Sequence, residues 1–111
     1  MDGLEKTSLN EAFLFSVAFQ MKGNSMDNGS RWCFTNGDYL RCDEVDIQDI
    51  EVGHEYVIKI GNTYLVRQIT FSDDLFFTAT PFNPAYEELR LLKKDIQQIF
   101  IIKSYQRLIV N

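Results

Sequence analysis

The sequence predicts a mostly β domain, built from bent antiparallel sheets with little helix. Three patterns support this fold class. Aromatic and β-branched residues alternate with small or polar ones over residues 13–21, which is the period of a strand. Apolar runs at residues 56–60 and 63–69 flank Gly61-Asn62, a pair suited to a two-residue hairpin turn. Residues 96–110 are apolar enough for one long strand or two short ones.

Length and composition indicate one folded domain. The chain has 111 residues, of which 45% are hydrophobic and 14% aromatic, a balance typical of a globular protein. The net charge is -5. Because affinity for a phosphate backbone comes from cationic contacts, this domain alone is predicted to bind nucleic acid poorly. We expect residues 1–11 to be a leader or linker stump, and residues 12–111 to be the domain.

The middle of the chain alternates short strands with polar connections. Three further strands are expected, at residues 39–42, 75–80 and 88–92. The loop at residues 27–36 contains the turn pair Asn28-Gly29, and its Trp32 and Phe34 are predicted to pack back onto the core. Residues 43–51 carry five acidic side chains, which we interpret as a solvated connection. Its predicted anchors in the core are Val45, Ile47 and Ile50.

The cysteines and the histidine give no sign of a metal site. Cys33, Cys42 and His54 are the complete set, and they lack the spacing of metal ligands. No signal peptide or membrane-spanning stretch is recognisable, so both cysteines are predicted to be reduced thiols of a cytoplasmic protein. We expect no cofactor, no metal and no membrane partner.

A serine in a turn is the first candidate for chemistry. Gly23-Asn24-Ser25-Met26 follows the first predicted strand and places a hydroxyl at the mouth of a turn. A serine hydroxyl is a weak nucleophile until a base takes its proton. His54 precedes the predicted hairpin and is interpreted as a surface residue. The basic residue expected beside Ser25 is Arg67, on a distant strand.

Arginine is unsuited to the role of base. Its reference pKa is about 12.5 or higher, so neutralising it at pH 7 costs roughly 7.5 kcal/mol. A lysine can serve instead, because burial lowers its pKa. The hairpin register predicts Lys59 on the face opposite Arg67, and Lys22 would require the first strand to fold back. Lys103 is not excluded by these arguments.

Five segments carry a resemblance to a known family: Gly23-Asn24-Ser25-Met26, Gly37-Asp38-Tyr39-Leu40, Gly53 with residues 56–60, Val66-Arg67-Gln68-Ile69, and Asn83-Pro84-Ala85-Tyr86. In this order and spacing they resemble the LexA-like peptidase domain. That domain forms the C-terminal half of LexA and of lambda-type phage repressors, and most of UmuD. The resemblance covers roughly residues 13–111 and implies the LexA/signal-peptidase-like β fold.

The resemblance also implies roles for individual residues. Ser25 matches the family nucleophile, Arg67 the position of its lysine base, and Gly23, Asn24 and Met26 the residues that support the motif. Besides the arginine, the chain departs from the family in a loop before Gly37 that is a few residues longer, and in lacking the Ala-Gly or Cys-Gly bond of self-cleavage. We therefore expect a domain without peptidase activity. The alternative is a self-cleaving serine peptidase that uses Ser25.

Family members pair through their C-terminal strands, which implies a homodimer here. The predicted contacts form an apolar edge: Ile99, Phe100, Ile101, Ile102 and Tyr105. Such a domain would dimerise a transcriptional regulator, of the phage-repressor or SOS-response kind. Its DNA would be read by a helix-turn-helix domain or partner outside these residues. A stand-alone regulator similar to UmuD is a further reading.

Overall fold

The computed structural model describes residues 16–107. In this part the chain forms one seven-stranded sheet in which all pairs are antiparallel. The strands are β1 (Ser16–Gln20), β2 (Tyr39–Val45), β3 (Glu55–Ile60), β4 (Thr63–Ser72), β5 (Phe76–Thr80), β6 (Leu89–Leu92) and β7 (Ile96–Gln106). Short 3-10 helices lie at Ile47–Asp49 and Lys93–Asp95. The predicted mostly β, antiparallel fold is confirmed.

Some of the predicted boundaries differ from the observed ones. The last strand is continuous over Ile96–Gln106, which decides between one long strand and two short ones. β2 runs to Val45, so the first part of the acidic connection is strand. The leader proposed at residues 1–11, and the start of the first predicted strand, lie outside the described residues and stay predictions.

The β3–β4 hairpin has the predicted register. Ile60 pairs with Thr63 and Tyr56 with Arg67. Gly61 has φ of +59°, and no other residue type has a positive φ in the described part of the chain. The turn therefore uses the left-handed region only at its first central residue, where glycine adopts it without steric cost.

The sheet order places β7 in the interior of the sheet, as its third strand. The order is β1-β2-β7-β3-β4-β5-β6, so β7 is hydrogen-bonded to β2 on one side and to β3 on the other. The prediction that its apolar residues form an exposed edge is wrong. Ile99 and Phe100 are buried in the core, Ile101 and Ile102 are half-buried against it, and Tyr105 is 37% exposed. A continuous apolar run, rather than an alternating one, is typical of a strand covered on both faces.

Two hydrophobic clusters cover the two faces of the central strands. Val57 and Phe100 belong to the first cluster, and their neighbours Ile58 and Ile99 to the second. Successive side chains of a strand point to opposite faces, so the clusters lie on opposite sides of β3 and β7. The first cluster also contains Met26, and the site described below is built on it.

β-Bulges interrupt the ladders and bend the sheet. Arg41 pairs with Ser104 and Cys42 with Ile102, which leaves Lys103 as an extra residue in β7. A similar shift in the β4–β5 ladder leaves Thr70 as an extra residue in β4. A bulge bends the strand that carries it and increases its twist. These two bulges account for the predicted bending of the sheet.

In the loop after β1, one aromatic residue is buried in the core and the other is exposed to solvent. Phe34 is buried, and its N–H donates to Met26 O at 2.9 Å. Trp32 is 75% exposed, so the prediction that it packs on the core is wrong. Asn28 Oδ1 accepts from Ser30 N–H, and Ser30 Oγ accepts from Trp32 N–H. In these local turns, side-chain oxygens accept hydrogen bonds from backbone N–H groups two residues later, which stabilises the segment at the surface.

The acidic connection is anchored as predicted. Val45, Ile47 and Ile50 pack against the second cluster. Tyr56, buried in the same cluster, accepts a hydrogen bond from the backbone N–H of Glu51 at 2.9 Å. The acidic side chains of this connection therefore remain at the surface, while its apolar side chains anchor it to the core.

An ion pair between a buried carboxylate and a partly exposed arginine ties the end of β7 to the turn before β2. The Asp38 side chain is 1% exposed, and Arg107 Nε and Nη2 each donate to one of its carboxylate oxygens at 2.9 Å. Thr35 donates to the same carboxylate through its N–H at 2.8 Å and its hydroxyl at 3.2 Å. The Arg107 guanidinium holds the pKa of Asp38 below its ordinary value, against the opposing effect of burial. The sequence analysis did not identify this pair.

Candidate functional site

The turn that carries Ser25 is shaped by one glycine and one backbone hydrogen bond. Gly23 has φ of +85°, a conformation that suits glycine, and its N–H donates to Asn36 Oδ1 at 2.8 Å. Asp27 N–H then donates to Asn24 O at 3.1 Å, which closes a turn around Ser25. Ser25 is 8% exposed. The predicted turn is therefore present, and the hydroxyl is close to the surface.

Met26 anchors this turn in the first cluster. Its side chain is fully buried, in the cluster that also contains Met21 and Leu40. Burying a methionine side chain contributes roughly 1.5–3 kcal/mol. The backbone O of Met26 also accepts from Phe34 N–H. Met26 therefore holds the turn in place through its buried side chain and its backbone hydrogen bond.

A second loop holds the turn from the other side. Asn83 N–H donates to Ser25 O at 3.0 Å, and Asn83 Nδ2 donates to Asn24 O at 2.9 Å. Asn83 Oδ1 in turn accepts from Ala85 N–H at 2.9 Å, which orders the loop itself. This loop is one of the segments that carry the family resemblance, but its contact with the serine turn was not predicted from the sequence.

Arg67 completes the site from β4. Its Nη1 donates to Ser25 Oγ at 3.0 Å and to Val66 O at 2.8 Å. The structure therefore brings together Ser25 and Arg67, as expected, with Gly23, Asn24 and Met26 in the same turn. The residues predicted for the dimer contact belong to β7, and none of them contacts the serine hydroxyl through a hydrogen bond in the described structure.

Burial of Arg67 affects its titration. The side chain is 8% exposed, and burial lowers its pKa, while the nearby phenol of Tyr86 acts in the opposite direction. Arginine remains charged at neutral pH in proteins. At this site the guanidinium is therefore a hydrogen-bond donor to Ser25 and not an acceptor of its proton.

None of the lysines that the structure describes takes the place of a base. Lys22 Nζ donates to Gln20 Oε1 at 3.0 Å, and Lys59 Nζ lies over the ring of Tyr64, 5.7 Å from its centroid. Lys103 is exposed on its bulge and lines a pocket of about 290 Å³ with Trp32 and other residues. Within residues 16–107, no lysine makes a hydrogen bond to Ser25.

The remaining polar candidates lie elsewhere. His54 is exposed and faces Glu51 at 3.6 Å, as the interpretation of a surface residue predicts. Cys33 and Cys42 are both free and buried, and burial raises the pKa of Cys42 to about 12. In the described part of the chain, no three His, Cys, Asp or Glu residues are grouped so that they could hold a metal ion. Over the same residues, no helix has the length and apolar character needed to cross a membrane.

Comparison with known proteins assigns the family. A search of curated proteins found no match for the chain. The family model described as Peptidase S24-like matches residues 5–104, a range that contains Ser25, Arg67 and Asn83. The resemblance inferred from the sequence motifs is thereby confirmed at the level of the family. The chain belongs to the Peptidase S24-like family.

Proposed function

We propose that this domain is a regulatory module of its family and has no peptidase activity, because Arg67 stands where the family's lysine base would be. The hydrogen bond from Arg67 Nη1 to Ser25 Oγ, 3.0 Å long, carries the proposal. A serine must lose its proton to attack a carbonyl. The group beside this serine is a donor that keeps its own protons.

The magnitude of the pKa difference supports this proposal. With a reference pKa of about 12.5, roughly one arginine in 10⁵ or fewer is neutral at pH 7. Burial lowers the pKa of Arg67, but arginine is effectively always protonated in proteins. A lysine in a similar setting can lose its proton after a shift of only a few units. The arrangement therefore favours a site that keeps the geometry of a serine–base pair without its reactivity.

Self-cleavage is tested by mass spectrometry of the intact chain. The wild-type protein, incubated at pH 7 and pH 10, is expected to keep its full mass, as is Ser25→Ala. Arg67→Lys supplies an amine that burial can deprotonate, and the double variant Ser25→Ala/Arg67→Lys is its matched control. A product formed by Arg67→Lys but not by the double variant would show that the arginine silences the site.

The alternative function, a self-cleaving serine peptidase that uses Ser25, makes the opposite prediction. It requires the wild-type chain to yield a cleavage product that Ser25→Ala does not yield. That result would overturn the proposal of an inactive site.

We also propose that the domain forms a homodimer for a transcriptional regulator, of the phage-repressor or SOS-response kind. Two features support an interface near the end of β7. Trp32 is 75% and Tyr105 37% exposed, and both line the same pocket; exposed aromatic residues of this kind are enriched in protein interfaces. The net charge of -5 supports DNA reading by another domain or chain. The two free thiols favour the cytoplasm.

Light scattering tests the dimer. At about 100 μM, well above the dissociation constant of a micromolar complex, the wild-type chain is expected to have twice the monomer mass. Trp32→Ala is expected to shift the population toward monomer, because it removes the largest exposed aromatic side chain of the pocket. Leu75→Ala, which also truncates an exposed residue (69%), is the control. A wild-type monomer under these conditions would rule out the dimerisation role.

A further inference from the structure

Within residues 16–107, Arg67 is a buried cation without a counter-ion. Its hydrogen-bond partners, Ser25 Oγ and Val66 O, are both uncharged. Among the residues that the structure describes, no carboxylate forms an ion pair with it, although the side chain is only 8% exposed. Buried charges in proteins are normally paired with an opposite charge. The site therefore lacks an anion that its burial would lead one to expect.

A second arginine, Arg107, shows how a guanidinium of this domain holds a carboxylate. Arg107 uses one edge of its guanidinium, Nε and Nη2, to hold both oxygens of Asp38 at 2.9 Å. The same edge of Arg67 is unused. Its Nε is buried with no hydrogen-bond partner, and its Nη2 makes no hydrogen bond to residues 16–107. This edge has the geometry that pairs with a carboxylate through two parallel hydrogen bonds.

Ser25 adds further donors to the same place. Its Oγ accepts from Arg67, and its own hydroxyl proton is donated to no group in the described structure. The backbone N–H groups of Ser25 and Met26 likewise have no partner there. The site is thus rich in donors and poor in acceptors, and the ligand that complements it must supply acceptor oxygens.

We propose that the Ser25–Arg67 pair binds a carboxylate group supplied by a ligand. After a small rotation of the enclosed guanidinium, Nε and Nη2 of Arg67 each donate to one carboxylate oxygen, as Arg107 does to Asp38, and the Ser25 hydroxyl donates to one of these two oxygens. The single negative charge of a carboxylate matches the single charge of Arg67, whereas a phosphate dianion would leave an excess negative charge on an already acidic protein. The proposal rests on the absence of catalysis at Ser25, as proposed above.

The carboxylate has two chemical sources, a small organic acid or the C-terminal carboxylate of a peptide. Acetate represents the first, and N-acetyl-alanyl-alanine represents the second. The C-terminal amide of the same dipeptide has the same shape without the charge. It therefore separates recognition of the carboxylate from recognition of the peptide.

The test is an NMR titration of the full ¹⁵N-labelled chain. The Nε–H signal of Arg67, identified by its loss in Arg67→Gln, is expected to shift on addition of an acid and to saturate. The backbone N–H signals of Ser25 and Met26 report binding in the variants. Since hydrogen bonds to charged groups are the stronger ones, Arg67→Gln should weaken binding about tenfold or more and Ser25→Ala severalfold. Arg90→Gln removes an exposed positive charge elsewhere and should leave binding unchanged.

Each outcome has a defined meaning. Saturation by either acid, but not by the amide or by sodium chloride at equal ionic strength, supports the proposal. The acid that binds more tightly identifies the source. Absence of saturation, equal shifts with the amide, or tighter binding of inorganic phosphate would overturn it. None of these results changes the mass spectra that test cleavage, so the two proposals fail separately.

Discussion

Replacing Phe100 by alanine is expected to lower the free energy of unfolding by about 3–5 kcal/mol, the usual cost of truncating a buried phenylalanine. Phe100 is 4% exposed at the centre of the sheet, and its ring meets that of Phe19 edge to face, with 5.1 Å between their centroids. Small domains are stable by about 5–15 kcal/mol, so this single change removes a large part of the total. Urea unfolding followed by circular dichroism measures it.

Tyr105→Ala is the matched control on the same strand. Tyr105 is 37% exposed; its ring makes an edge contact with Phe34, and its centroid lies 5.5 Å from the Arg107 guanidinium, so its truncation should cost about 1 kcal/mol. The pair of variants separates a core position from a surface position. A Phe100→Ala variant that keeps its unfolding midpoint and only dissociates a dimer would contradict the buried position of Phe100 and assign this residue to an interface.

Asp38→Asn is expected to destabilise the domain by about 2–3 kcal/mol at pH 7, since the hydrogen bonds from Arg107 to a charged acceptor are lost. The estimate is below the usual cost of breaking a buried ion pair, because Arg107 is 42% exposed and water screens its charge. The amide would also place an NH₂ group against donors from Thr35 and Arg107. Urea unfolding at pH 7 measures the loss, and Asp74→Asn, at an exposed position, is the control.

The effect of Asp38 should depend on pH in one direction. Its folded pKa is lowered, chiefly by the hydrogen bonds from Arg107, so it contributes stability above its unfolded pKa of about 3.9. That contribution is lost as the pH falls through the lower, folded value. The difference between wild type and Asp38→Asn should therefore be constant above about pH 5 and shrink progressively below it. A difference that grew on acidification would contradict the ion pair.

Local patterns in the sequence were sufficient for the hairpin and most strands. Gly61-Asn62 fixes the turn, and the turn fixes the register, so that the pairing of Tyr56 with Arg67 followed by counting. The position of β7 did not follow in this way. Strand order depends on which residues meet across long separations, and an apolar run such as residues 99–102 is equally compatible with a buried interior strand and an exposed edge strand.

The site was predictable to the extent that its motifs are local. The family resemblance placed Ser25 and Arg67 together, and the structure shows them in contact. The role of Asn83 and the pairing of Asp38 with Arg107 were not predicted, because one side-chain contact between distant segments leaves no periodic signal. The unpartnered Nε of Arg67 is a property of the folded environment alone.

The hydrogen bonds between Asn83 and the serine turn have a consequence for protein synthesis. Its amide bonds Asn24, 59 positions earlier in the chain, and Arg67 reaches Ser25 across 42 positions. A nascent chain therefore cannot form the complete site until Asn83 has left the ribosome. Contacts this distant also slow folding, because a large loop must close before they form. A chain terminated before Asn83 would contain the sequence of the serine turn but lack the residue that holds this turn from the second loop.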